Sequence, residues 1–210
     1  MSDPFFDNYG DEITFEDKVD LILKFSEIDC TVPRRELGRK TFHRERESIK
    51  TFMESLACND KLKYPLTIMK HETPDFIITR KSQFTIGLEH TEATTEQIQQ
   101  TFAKFERSKQ DLYMDNNAGG EYGYRFKKAA RSILNEITKK LIKLNKPEYE
   151  KCDRNELLVY TDMCPEGDED IALEKLIITY NGLSLHKEFK ILFDSISIIF
   201  KRILRHNVID

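Results

Sequence analysis

Pro74-Asp75-Phe76-Ile77-Ile78-Thr79, then Arg80-Lys81-Ser82-Gln83, then Phe84-Thr85-Ile86-Gly87-Leu88-Glu89-His90-Thr91 is the stretch on which the reading of this chain turns. Its two apolar runs are short and rich in β-branched and aromatic residues, and polar turn material separates them, so the pattern predicts a β-hairpin. Side chains alternate between faces along a strand, which sets Glu89 and Thr91 on one face and Leu88 and His90 on the other. Pairing the runs folds Asp75 back towards Glu89. Two carboxylates at the end of a largely apolar hairpin repel each other and are costly to desolvate, so a divalent cation or a shared proton is expected to compensate them. A metal site is the economical expectation.

The spacing of Pro74-Asp75 from Glu89-His90-Thr91, with the local texture Pro74 to Thr79 and Ile86 to Thr94, resembles the PD-(D/E)XK nuclease superfamily. The resemblance implies a restriction-endonuclease-like fold. That is an α/β chain in three layers, α/β/α, around a central mixed four-stranded sheet, here with an N-terminal helical arm. It also implies Asp75 and Glu89 as ligands of Mg²⁺ or Mn²⁺, the carbonyl of His90 as a further ligand, and hydrolysis of phosphodiester bonds in nucleic acid. A homodimer is compatible with it, because nucleases that cut both strands often dimerise. One position departs from the pattern: two residues after the acid, where the family carries a lysine, stands Thr91. Thr91 can hydrogen-bond a phosphate oxygen but supplies no positive charge.

Residues 125 to 144 hold Phe126, Ala130, Ile133, Ile137, Leu141 and Leu144 at helical spacing, the clearest amphipathic pattern in the chain. Lys140 lies on the flank of that stripe, where a lysine can bury its stem and carry its amine over the sheet edge. It is the candidate for the missing amine. A third carboxylate from the helix before the hairpin often completes such sites, and Glu47 is the candidate, with Glu45 and Glu54 as competitors. His90 is expected to face the helical layer and to pack there. Thr91 in place of lysine also leaves open a fold that no longer cuts and serves as a binding or interaction module. A structural protein in which Asp75 and Glu89 lie far apart is the third alternative.

Elsewhere, residues 14 to 28 predict a first helix capped by Thr14, and a second starts at Pro33 and runs through Ile49, Phe52, Met53 and Leu56. Tyr64 to Met69 reads as an extra edge strand or a lead-in to the hairpin, with Pro65 arguing against a central strand. A helix from Thr94 to about Met114, a Gly-rich break at 116–123, a strand at Glu156 to Thr161, a helix over about 170–180 and a last strand at Ser195 to Phe200 complete the order. The expected organisation is one domain over 1–210, helical over 1–60, with the sheet core over 64–205.

At 210 residues, with 39% hydrophobic and 33% charged, the chain has the composition of a soluble globular protein with a charged surface. No window approaches a membrane span and the N-terminus is acidic rather than signal-like, so a cytoplasmic location without membrane contact is expected. Cys30, Cys58, Cys152 and Cys164 form no C-x-x-C pair and predict reduced thiols. The net charge of −4 argues against a global positive field, but the charges are segregated. Residues 31 to 50 hold seven Lys or Arg against three Glu, and residues 125 to 151 hold nine against three. Such blocks are expected either to line a basic groove beside the acid pair or to be solvated helix faces. No histidine spacing, G-x-S-x-G elbow or cysteine–histidine pairing supports zinc or nucleophilic hydrolase chemistry.

Overall fold

The hairpin forms where its pattern places it. In the computed structural model, which describes residues 8–28, 41–93, 122–161, 169–181, 189–200 and 203–209, strand β3 (Phe76–Arg80) pairs antiparallel with β4 (Thr85–Glu92), matching Ile78 with Ile86 and Phe76 with Leu88. Gln83 takes a positive φ of 59° in the turn, and its N–H donates to the Arg80 carbonyl at 2.8 Å. Around this pair the sheet grows in both directions. Strand β2 (Leu66–Lys70) pairs antiparallel with β3, and β1 (Glu12–Phe15) with β2. On the other side β5 (Arg154–Thr161) and β6 (Ser195–Phe200) run parallel, and β7 (Ile203–Ile209) closes the edge antiparallel.

The sheet thus has seven strands in chain order, an antiparallel half leading into a parallel half. Parallel neighbours need long crossovers. Helix α3 (Tyr122–Leu144) lies between β4 and β5 in the chain, and α4 (Glu169–Asn181) between β5 and β6. Their apolar stripes share one core with Leu157, Val159, Ile196 and Ile198, and that core includes Ile133, Ile137, Leu141 and Leu176. On the opposite face α1 (Lys18–Glu27) and α2 (Thr41–Cys58) pack Leu21, Phe25, Ile49, Phe52 and Met53 against Ile68, Ile78, Leu88, Leu158 and Tyr160. Strand β5 feeds both cores with alternate residues, as a strand buried on both faces must. The result is a mixed α/β architecture in three layers. None of the helices in the described residues is long and apolar enough to cross a membrane.

Several expectations are corrected. The sheet has seven strands rather than four, because β1 and β2 extend one side and β7 the other. Thr14 belongs to β1, opposite Thr67, and Asp17 caps α1 instead, its side chain accepting from the Asp20 N–H at 2.9 Å. The N-terminal part is therefore not purely helical. Strand β2 is interior to the sheet, flanked by β1 and β3, and Pro65 stands just before it, where a missing N–H breaks no ladder bond. The predicted start of the second helix at Pro33, the helix from Thr94 to about Met114 and the Gly-rich break up to 121 lie outside the described residues. Cys58 and Cys152 are free thiols; Cys30 and Cys164 also fall outside.

Gly87 sits where β3, β4 and β5 meet. A Cβ there would lie 3.0 Å from both Cys152 Sγ and Pro74 Cγ and 3.3 Å from Asn155 Oδ1. Gly87→Val should therefore destabilise the fold by about 1–3 kcal/mol through overpacking, as read in urea melts. Adding Cys152→Ala should restore part of the loss, since it removes one of the two closest atoms.

Candidate functional site

Strand β4 runs past the start of β3. Phe76 is the first residue of β3 and opposes Leu88, so beyond it the β4 backbone has no strand partner on that edge. Asp75 fills the gap: the His90 N–H donates to Asp75 Oδ2 at 2.7 Å, so a carboxylate extends the ladder by one bond. The turn that carries Asp75 is fastened at several points. The His71 N–H donates to the Asp75 carbonyl at 3.0 Å, the Glu150 N–H to the Thr73 carbonyl at 3.3 Å, and His71 Nε2 lies 3.0 Å from Glu150 Oε2.

Helix α3 completes the site. Lys140 Nζ donates to Asp75 Oδ2 at 2.9 Å and to Glu89 Oε2 at 2.5 Å, so the two acids share one ammonium. One turn further on, Lys143 Nζ lies 2.9 Å from Glu89 Oε1 and 3.4 Å from Asp75 Oδ1. The Glu89 side chain is fully buried, whereas Asp75, Lys140 and Lys143 remain 15%, 17% and 28% exposed, so the cluster opens to solvent on the helix side. Two negative and two positive groups balance. The compensation expected from a cation or a shared proton is supplied within the chain by two lysines.

The field of this cluster sets its protonation. Burial raises the pKa of Asp75, but Lys140, Lys143 and the His90 N–H outweigh it and hold the carboxyl at about 2. Burial and then the charge of Asp75 push Glu89 upward, against the pull of Lys140. The pair titrates as a unit in which Asp75 is the stronger acid. For Lys140, burial favours the neutral amine, yet the charges of Asp75 and Glu89 prevail and raise its pKa. The lysine stays protonated.

The remaining predicted residues divide between the two faces of β4. Thr91 shares the face of Glu89, and its hydroxyl donates to Glu136 Oε2 on α3 at 3.1 Å. His90 faces α2, as expected, with Nε2 3.0 Å from Ser48 Oγ; burial drives its pKa down to about 3, so it is neutral. Glu47 does not join the acids: it pairs with Arg44 one turn earlier on α2, while its rival Glu45 is drawn to Lys70 at 2.6 Å. Among the described residues no three His, Cys, Asp or Glu side chains gather as a metal site. Helix α2 gives its polar residues to ion pairs and to His90 on the far side of the sheet from α3.

The basic blocks also separate. Arg44 lies 3.9 Å from the centre of the Tyr160 ring, and Lys50 donates to the Phe25 carbonyl at 2.7 Å, so these α2 charges serve internal contacts. The α3 block is the one that meets the acid pair. Lys143 and Glu136 were not singled out from the sequence, although their steps of three and four from Lys140 place all three on one helix flank. Tyr149, whose pKa is raised first by burial and then by the nearby charge of Glu89, had no sequence signal. No family model, curated protein or solved structure matches the chain.

If the shared ammonium couples the acids, Lys140→Met and Glu89→Gln should be strongly non-additive. A double-mutant cycle on unfolding free energy should give a coupling of about 1–3 kcal/mol. Lys139→Met, at the exposed neighbouring position, should change stability by less than about 0.5 kcal/mol.

Proposed function

We propose that the chain is a metal-dependent nuclease that hydrolyses phosphodiester bonds of nucleic acid at the Asp75–Glu89 pair. One observation carries the reading: the ammonium of Lys140 stands against both acids, at 2.9 and 2.5 Å, and so offers from a helix the positive charge that Thr91 lacks on the strand. The antiparallel hairpin leading into a parallel, helix-crossed half of the sheet is consistent with a restriction-endonuclease-like core.

The donor set suits a hard divalent cation. Asp75 and Glu89 offer carboxylate oxygens, and the buried Glu89 Oε1 has the Lys143 ammonium beside it at 2.9 Å. Because the His90 N–H points at Asp75, and the N–H and C=O of one strand residue share an edge, the His90 carbonyl lies on the Asp75 side of β4 and could add a third oxygen. Mg²⁺ or Mn²⁺ bound there would supply Lewis acidity towards a phosphate oxygen and a water. Lys140 would offset charge developing on the phosphate. Neutral His90, fixed by Ser48, holds the β4 backbone in place. Thr91, engaged by Glu136, steadies α3 against the strand.

A non-catalytic binding module is the second reading, and one fact favours it: the lysines already neutralise the acids, so the pair is tolerable without a metal. Incubation with labelled DNA and RNA in Mg²⁺ or Mn²⁺ separates the two. Cleavage should appear, cease on chelation, and fall by about 10²-fold or more in Asp75→Asn, Glu89→Gln and Lys140→Met. Binding of nucleic acid without cleavage, unaltered by Glu89→Gln, would establish the module instead.

A further inference from the structure

Resting on that reading, we propose that Lys143 marks the cation position and competes for it, its ammonium occupying the oxygen cage that a divalent ion would take. The four carboxylate oxygens of the pair are unequally committed. Asp75 Oδ2 is held by the His90 N–H and Lys140, and Glu89 Oε2 by Lys140 at 2.5 Å and more loosely by Lys143 at 3.1 Å. The other two, Asp75 Oδ1 and Glu89 Oε1, face Lys143 Nζ at 3.4 and 2.9 Å. The carbonyl oxygen of Glu72 lies 3.4 Å from the same nitrogen.

Together with Glu89 Oε2, four oxygens from three residues therefore surround one positive charge. That is the donor chemistry of a Mg²⁺ or Mn²⁺ site, at the wider distances an ammonium requires; a divalent ion would draw the same oxygens to about 2.0–2.2 Å. The cage adds the Glu72 carbonyl to the candidate ligands. Lys143 is also the member of the cluster best able to leave: its side chain is more exposed than that of Lys140, 28% against 17%, and its contacts are longer. A lysine has a flexible four-carbon stem and a strongly hydrated head, so it can swing outward while its stem stays on the helix. The consequence is a site that is charge-neutral when empty and takes up a cation only as Lys143 withdraws. Lys140, held by two short bonds, remains.

The test is Mn²⁺ binding to metal-free protein, measured by calorimetry, with no nucleic acid present. Lys143→Met keeps the stem and removes the competing charge, so it should bind Mn²⁺ at least about tenfold more tightly than wild type. Lys143→Arg keeps the charge in a bulkier head and should bind more weakly than wild type. Asp75→Asn in the Lys143→Met background should abolish the gain. Equal or weaker binding by Lys143→Met overturns the competition while leaving a metal site in place, and so does unchanged affinity in Lys143→Arg, which decides the matter if Lys143→Met does not fold. Absence of Mn²⁺ binding in wild type and in Lys143→Met alike overturns both the competition and the metal-dependent reading.

Discussion

A fully buried glutamate in the middle of a sheet is the constraint around which the rest is arranged. Glu89 has no exposure, and an isolated carboxylate there would carry a desolvation cost of several kcal/mol. It is tolerable because α3 passes over β4 at a height and phase that deliver Lys140 and Lys143 to it. The helix phase is in turn fixed by Ile133, Ile137, Leu141 and Leu144, which bury the adjoining stripe against β5 and β6. Apolar packing and charge pairing thus demand the same rotation of one helix. Removing the lysines would leave an unpaired charge, and removing the stripe would leave the lysines without a platform.

Strand β4 shows how strictly this fixes register. Leu88 and His90 belong to the α2 side, Glu89 and Thr91 to the α3 side. A slip of one residue would send Glu89 into the apolar face made by Phe52 and Met53, and present Leu88 to the lysines. Asp75 adds a backbone lock, since its carboxylate takes the His90 N–H that the short β3 leaves without a partner. The inequality in length between β3 and β4, five residues against eight, is what opens room for an acid at the strand edge.

Much of this was legible because it follows from period. The two-residue alternation of 76–80 and 85–92 and the 3.6-residue stripe of 125–144 predict the hairpin, the long helix and the Lys140 flank, and the structure brings Lys140 to both acids. What was not legible depends on length or on partners distant in the chain. Four residues, Glu12–Phe15, hold too few alternations to stand out from the helix pattern that follows, and only pairing with β2 makes them a strand. Glu47 had the right helix but the wrong partner, because Arg44 three residues earlier is a nearer charge than any ion at the sheet. Lys143 answers to no motif position of its own: the pattern lacks one amine, whereas two buried acids call for two cations.

The negative net charge of the chain is compatible with the proposed phosphate-binding role once distance is considered. Screening confines exposed charges to roughly 10 Å at moderate salt, so an approaching phosphate senses the local set rather than the total. That set includes Lys140 and Lys143 in the cluster and the exposed Lys139 and Lys146 on the same helix and the turn after it. Against them stand Asp75 and Glu89, each already facing an ammonium, and Glu136, engaged by Thr91 and Lys139. A divalent ion entering this neighbourhood would shift the balance further to the positive, and a lysine it displaced would remain tethered within reach of the incoming anion. Under the proposed reading, the charge that balances the two acids would then also be available to hold a phosphate.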